Sequence, residues 1–225
     1  LIQTINPVPA VGLVSSKICS NTAFDASPTG LPINAITTYT WNTPVISPAN
    51  ALSGGSKQDS AVTNISQNLI NNTNVVATAT YNVTPNTGGC QGNPFKVVVT
   101  VTPRAALADI NNTICSGGTF ITVPNNAPIG TKYSWLTPII STGILGGQAN
   151  ALFVDTISQT LINSNSNVSV GLAKYEVTPI TDGCTGTNFF VNVNVNSSNA
   201  ILSSSLNPTP VCSKASFIYS PTSSI

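Results

Sequence analysis

Apolar and polar residues alternate along this chain in short runs, and no run keeps the three-to-four-residue period of an amphipathic helix. Phe189–Asn196 is the clearest case. Val191, Val193 and Val195 alternate with Asn192, Asn194 and Asn196, which describes a strand with one face on a core and one in water. The same reasoning predicts strands at Val11–Lys17, Ala23–Ala26, Thr37–Trp41, Ala61–Ile65, Asn74–Val83 and Phe95–Thr102. A second set is predicted at Leu107–Thr113, Phe120–Val123, Lys132–Leu136, Phe153–Ile157, Val168–Val177 and Phe189–Asn196. Gly, Pro and Asn punctuate the gaps, as turn chemistry requires.

The two sets are copies of each other. "ICSNTAF" at Ile18–Phe24 returns as "ICSGGTF" at Ile114–Phe120 and as "VCSKASF" at Val211–Phe217. "YTWNTPVIS" matches "YSWLTPIIS", "ISQNLIN" matches "ISQTLIN", and "YNVTPNTGGC" matches "YEVTPITDGC". Cys19, Cys115 and Cys212 lie 96 and 97 residues apart. The phase of the repeat divides the chain into 1–6, the tail of a preceding repeat; 7–103 and 104–200, two complete repeats; and 201–225, the start of a truncated third. The chain therefore reads as a window on a longer array. Seven or so short strands in a repeat of this size predict an all-β fold, a tandem of immunoglobulin-like β-sandwich domains. Trp41 and Trp135 fall on the third strand, where such sandwiches bury a Trp. Tyr81 and Tyr175 fall on the sixth, and all four are expected in the cores.

Composition narrows the function. Of 225 residues only 6% are charged, and there is no His. Ser-His-Asp and Cys-His nucleophile systems are thereby excluded, and so are His-based metal sites. A net charge of +1 on scattered Lys cannot form a nucleic-acid footprint. No apolar run reaches the length of a membrane span. Five Cys with no C-x-x-C spacing point to disulfides and an oxidising, extracellular compartment.

The motif set "CSxxxF…YxW…YxVTPxxxGC…VxVTV" resembles the PKD-like, immunoglobulin-type repeats of Bacteroidetes cell-surface adhesins, including the very long gliding-motility adhesins. The resemblance implies export by the type IX secretion system and display on the bacterial cell surface as a filament. The chain is then expected to be a shaft segment of that filament, used in gliding or surface attachment. Its partners would be neighbouring repeats, surface polysaccharide or other filament subunits. The competing reading is a carbohydrate-binding accessory module of a secreted hydrolase, with a concave aromatic face. Catalysis is not expected, nor is a cofactor. The six carboxylates (Asp25, Asp59, Asp109, Asp155, Glu176 and Asp182) do not cluster, which leaves no expected metal site or acid–base pair.

Two kinds of modification are open. N-x-[ST] sequons occur at Asn64, Asn71, Asn82, Asn111, Asn167 and Asn196, and are largely compositional. The Asp-[Ser/Thr]-apolar tripeptide that the resemblance implies as an O-glycosylation signal marks Ser60 and Thr156, 96 residues apart. Phe153 has no aromatic counterpart in the first repeat and is a candidate contact residue.

The cysteines allow two pairings. The simpler joins Cys19 to Cys90 and Cys115 to Cys184. Strand direction favours the other. Cys19 is expected after the first strand of its repeat and Cys90 in the hairpin before the last, at opposite ends of one sandwich. A disulfide needs Cα atoms within about 7 Å. An inter-domain Cys19–Cys184 bridge meets that condition, and it leaves Cys90 to a preceding repeat and Cys115 and Cys212 to following ones.

Overall fold

The structure is a computed structural model that describes residues 8–31, 37–165, 167–197, 200–202 and 222–224. The tail at 1–6, Cys212 and most of the third repeat lie outside the described residues. Two short strands there, Ala200–Leu202 and Thr222–Ser224, pair antiparallel. The chain forms two compact units. One comprises 1–106 with 126–131 and 179–187, and the other 107–125, 132–178 and 188–225.

In the first unit one sheet runs Val14–Cys19, Phe95–Thr102, Ala77–Thr87, Thr37–Trp41, Gln58–Val62. A second sheet of Thr22–Ala26, Ile65–Asn71 and Leu52–Ser53 covers it. The alternation along Ala77–Thr87 turns Ala79, Tyr81 and Val83 inward, all fully buried. From the facing sheet Phe24 meets Tyr81 at 5.3 Å between ring centroids, and Ile65 and Leu69 complete the core. Trp41 is 5% exposed and packs edge-on against Tyr81 at 6.3 Å. Its Nε1 donates to Ser56 O at 3.1 Å.

In the second unit the order is Ile110–Cys115, Phe189–Asn196, Val170–Thr181, Thr131–Trp135, Asn150–Val154. Val191, Val193 and Val195 are fully buried, on the face that their alternation with Asn assigns to the core. Phe120 lies 5.3 Å from Tyr175, the counterpart of the Phe24–Tyr81 pair. Trp135 is 5% exposed and its Nε1 donates to Gln148 O at 3.0 Å.

Several strand expectations need correction. Ala61–Ile65 is not one strand: the chain turns at Thr63 and Asn64, separating Gln58–Val62 in one sheet from Ile65–Asn71 in the other. The segment "AVTNI" conceals a switch between sheets, because Val62 packs against the core from one sheet and Ile65 from the other. The first strand starts later and ends later than expected, at Val14–Cys19, and its equivalent runs Ile110–Cys115 rather than Leu107–Thr113. Parallel pairing with Phe95–Thr102, from Val97↔Val14 to Thr102↔Cys19, fixes those ends. Asn74–Val83 likewise becomes Ala77–Thr87, extended by the hairpin that Cys90–Gln91 closes.

Candidate functional site: a disulfide-clasped hairpin

Within the first unit, the hairpin that joins Val170–Thr181 to Cys184–Thr185 meets the end of strand Val14–Cys19. Its turn is built by two left-handed residues, Asp182 (φ 47°) and Gly183 (φ 83°), and closed by Thr181↔Cys184 pairing. Sγ of Cys19 and Sγ of Cys184 are bonded at 2.02 Å, with Cα atoms 5.5 Å apart and 165 residues of sequence between them.

Each half of this clasp is held by backbone. On the receiving side, Ser20 N donates to Thr102 O (2.8 Å) and Asn21 N to Leu69 O (2.8 Å). The buried Ser20 hydroxyl accepts from Asn71 N at 2.9 Å. Asn71 in turn donates from Nδ2 to Val75 O (2.8 Å) and Val101 O (3.0 Å). On the inserting side, Gly186 N donates to Pro179 O and Thr187 N to Ala105 O, both at 2.9 Å. A Cβ on Gly186 would stand 2.2 Å from Ala105 O, so no other residue fits there without moving backbone. Arg104 spans the halves: its Nε donates to Ser20 O at 2.9 Å and its Nη1 to Thr185 O at 2.6 Å. Lys17 and Asp182 form an ion pair at the rim, with both side chains more than half exposed. Such a pair is worth at most about 1 kcal/mol, so the sulfur bridge and the backbone contacts carry the joint.

Sequence reasoning reached Cys19 and Cys184 but missed Arg104, Ser20 and Asn71. The last two carried a readable signal, because Ser follows Cys in each "ICS" and Asn ends each "LIN". Gln67 and Gln159 were also missed. Each accepts from a core tyrosine hydroxyl, Tyr81 at 3.0 Å and Tyr175 at 2.9 Å. The repeated "ISQ" was their signal. Burial pushes the Tyr175 hydroxyl up to about 12 and raises that of Tyr81 as well.

The other expected residues are dispersed. Cys90 is a half-buried free thiol and Cys115 an exposed one. The carboxylates act singly: Asp59 pairs with Lys57, Asp155 with Lys132, and Asp109 accepts from Phe190 N. Ser60 and Thr156 are not equivalent positions. The register Trp41↔Gln58 corresponds to Trp135↔Asn150, so the Ser60 position is filled by Leu152 in the second repeat. Ser60 is exposed mid-strand, whereas Thr156 is half-buried in a turn. Their 96-residue spacing ignored residues missing from the second copy's loops. Of the sequons, Asn71 is a buried hydrogen-bonding core residue.

A cavity of about 380 Å³ on the first unit is lined by Thr38, Thr40, Thr84, Asn86 and Gln91, with the Tyr39 ring beneath and only 4% exposed. It is a groove of hydroxyls and amides without a presented aromatic face. Phe153, 45% exposed beside Leu152, is the aromatic among the exposed large apolar side chains of the described residues.

The PKD-like domain family matches twice, at residues 16–105 and 112–199, each span covering one set of strands described above. The chain belongs to that family. PKD-like domains thus account for both repeats. No curated protein matches the sequence. Solved structures with similar chain traces include the two immunoglobulin domains of DIP-gamma (10% identity, 85% of this chain and 98% of that one, TM-score 0.37). They also include the human Desmocollin-1 ectodomain (11% identity, 87% and 43%, TM-score 0.32). An I-band fragment of titin is a third (11% identity, 84% and 65%, TM-score 0.31). This chain therefore spans less than half of the desmocollin ectodomain and about two thirds of the titin fragment.

Proposed function

We propose that these PKD-like repeats are a stretch of the shaft of a long extracellular adhesin filament on a bacterial surface. The kind of filament is that of the Bacteroidetes gliding-motility adhesins, exported by the type IX route. The repeats act as spacers that transmit tension. The observation that carries this reading is the Cys19–Cys184 bridge, which ties the first repeat to a hairpin belonging, by sequence, to the second. A bridge spanning 165 residues keeps the enclosed chain out of the path of a pulling force. A soluble accessory module has no use for that, and a filament under traction does. The scarcity of charge, at 6%, and the reliance on Ser, Thr and Asn for solubility suit a surface polymer whose neighbours must not stick electrostatically.

Immunogold labelling of source cells with antibody against residues 8–197 tests the proposal. Label strung along filaments that protease shaves from intact cells is the expected result. Label confined to a freely secreted hydrolase would overturn it in favour of the carbohydrate-binding reading.

A further inference from the structure

We infer that Cys115 and Cys90 are the two open halves of the same clasp, each built to receive a further copy of this repeat. The inference deepens the shaft reading and takes its partner from it: the occupant is another PKD-like repeat of the same chain.

Cys115 has the same mount as Cys19. It ends strand Ile110–Cys115 in parallel register with Asn196, as Cys19 does with Thr102. Ser116 N donates to Asn196 O (2.8 Å) and Gly117 N to Leu161 O (2.8 Å), repeating the Ser20 and Asn21 contacts. The Ser116 hydroxyl accepts from Asn163 N at 3.0 Å, and Asn163 Nδ2 donates to Val168 O and Val195 O, both at 3.1 Å. The strand register, the backbone hydrogen bonds and the Ser–Asn anchor of the bonded cysteine therefore recur around the free one, and Cys115 is exposed.

Cys90 has the same mount as Cys184. Thr87↔Cys90 pairing closes a turn of two left-handed residues, Gly88 and Gly89, and Gly92 N donates to Pro85 O at 2.9 Å. The decisive contact is at Gly92. A Cβ there would meet Pro9 O at 2.3 Å, just as one on Gly186 would meet Ala105 O at 2.2 Å. Pro9 and Ala105 are equivalent linker positions, 96 residues apart. The Cys90 hairpin is thus already seated on its linker in the pose that, one repeat later, delivers Cys184 to Cys19.

Closing a clasp removes two protons and two electrons from a thiol pair. A disulfide oxidant, oxidised glutathione or a protein disulfide, accepts them by two exchange steps. One thiolate opens the oxidant to a mixed disulfide, the second displaces the remaining half, and the oxidant leaves as two thiols.

The test is a chain in which residues 8–197 are followed directly by a second copy of 8–225 with Cys212→Ser, a fusion that keeps the repeat spacing. It is oxidised with glutathione disulfide, purified as monomer, alkylated and mapped by mass spectrometry without reduction. The inference expects a Cys90–Cys115 peptide within the monomer. Half of each residue should be consumed and half alkylated, with Cys19–Cys184 intact in both copies. Changing only the second copy's Cys90 to Ser should leave all Cys115 alkylated while Cys19–Cys184 persists. Complete alkylation of Cys90 and Cys115 in a monomer that holds both Cys19–Cys184 bridges would overturn the inference. So would Cys90–Cys90 or Cys115–Cys115 peptides in place of the mixed one. The mapping depends only on the chain, whereas cell-surface labelling tests the shaft, so the two can fail separately.

Discussion

Pulling on the chain from its two ends separates the oxidised molecule from the reduced one. Tension entering near Val8 runs to Cys19, crosses the sulfur bridge and leaves from Cys184, so the residues between carry none of it. Extended chain spans about 3.3–3.6 Å per residue. The 165-residue separation therefore conceals about 540–590 Å of contour that the oxidised molecule cannot release. What remains in the force path is the strand Val14–Cys19 on one side and Phe189–Asn196 on the other. Peeling Phe189–Asn196 removes the fully buried Val191, Val193 and Val195 from their core, yet the enclosed chain still cannot lengthen. The assay is single-molecule stretching with optical tweezers, with and without reductant, and again with Cys19→Ser plus Cys184→Ser. Reduced and doubly substituted molecules should each release about 540–590 Å more than the oxidised one. Equal release in all three would mean that the bridge does not lie in the force path, and the mechanical argument for a shaft would fail.

Three further outcomes follow from the cores and the clasp. Trp41→Ala, or Trp135→Ala, should cost about 3–5 kcal/mol in denaturant unfolding, because each leaves a large cavity and removes the indole hydrogen bond to Ser56 O or Gln148 O, which keeps only its Gln67 or Gln159 donor. Tyr175 is held neutral to about 12 while an unfolded tyrosine ionises near 10, so the folded state retains the proton longer. The Tyr175 contribution should be constant below pH 10 and fall by roughly 1–3 kcal/mol as pH rises towards 12; thermal melts at pH 8 and 11 should show the drop, and it should shrink in Tyr175→Phe. Arg104→Lys keeps the charge but loses the fork that reaches both Ser20 O and Thr185 O, so the Cys19–Cys184 bridge should be reduced several-fold faster by dithiothreitol, with circular dichroism unchanged.

The fold was legible where one signal dominated. Val–Asn alternation gave Phe189–Asn196 its bounds and its inward face, and the Cys–Phe, Tyr–Trp and Val–Thr–Pro spacings located both sandwiches. Legibility ended where two signals overlapped. "AVTNI" reads as one strand, but Val62 serves one sheet and Ile65 the other, and only the three-dimensional turn at Thr63 and Asn64 separates them. Ser60 and Thr156 share the 96-residue spacing without sharing a position, because the loops before Thr131 and before Ile144 are shorter in the second copy. The site was half legible. Strand direction favours Cys19 with Cys184 over a pairing within one repeat, but nothing local marks Arg104, whose partners lie 84 and 81 residues away. Gln67 and Gln159 were visible as repeated letters, yet their work, accepting from a tyrosine hydroxyl across the core, needs the facing sheet.

The direction of one strand decides how these repeats can be joined. Val14–Cys19 runs parallel to Phe95–Thr102, so Cys19 emerges beside Thr102, at the far end of that strand. Cys90 lies before its near end, in the hairpin that opens onto Phe95. Eight residues of strand separate the two ends, about 27 Å, several times the reach of a disulfide. A repeat of this family member therefore cannot close its own cysteines, and a bridge must pass to another repeat. Two repeats can then hold one bridge, with one receiving and one inserting cysteine left over. Those are the states found: Cys19–Cys184 closed, Cys115 and Cys90 reduced. The charged residues of the closed joint do not recur. Lys17, Arg104 and Asp182 are replaced at the equivalent positions by Thr113, Val8 and Gly88. What is common to both copies is the sulfur, the Ser–Asn anchor beneath the receiving cysteine and the glycine seated on the linker. Antiparallel pairing of that first strand would have brought both cysteines of a repeat to one end and allowed a closed, self-contained domain.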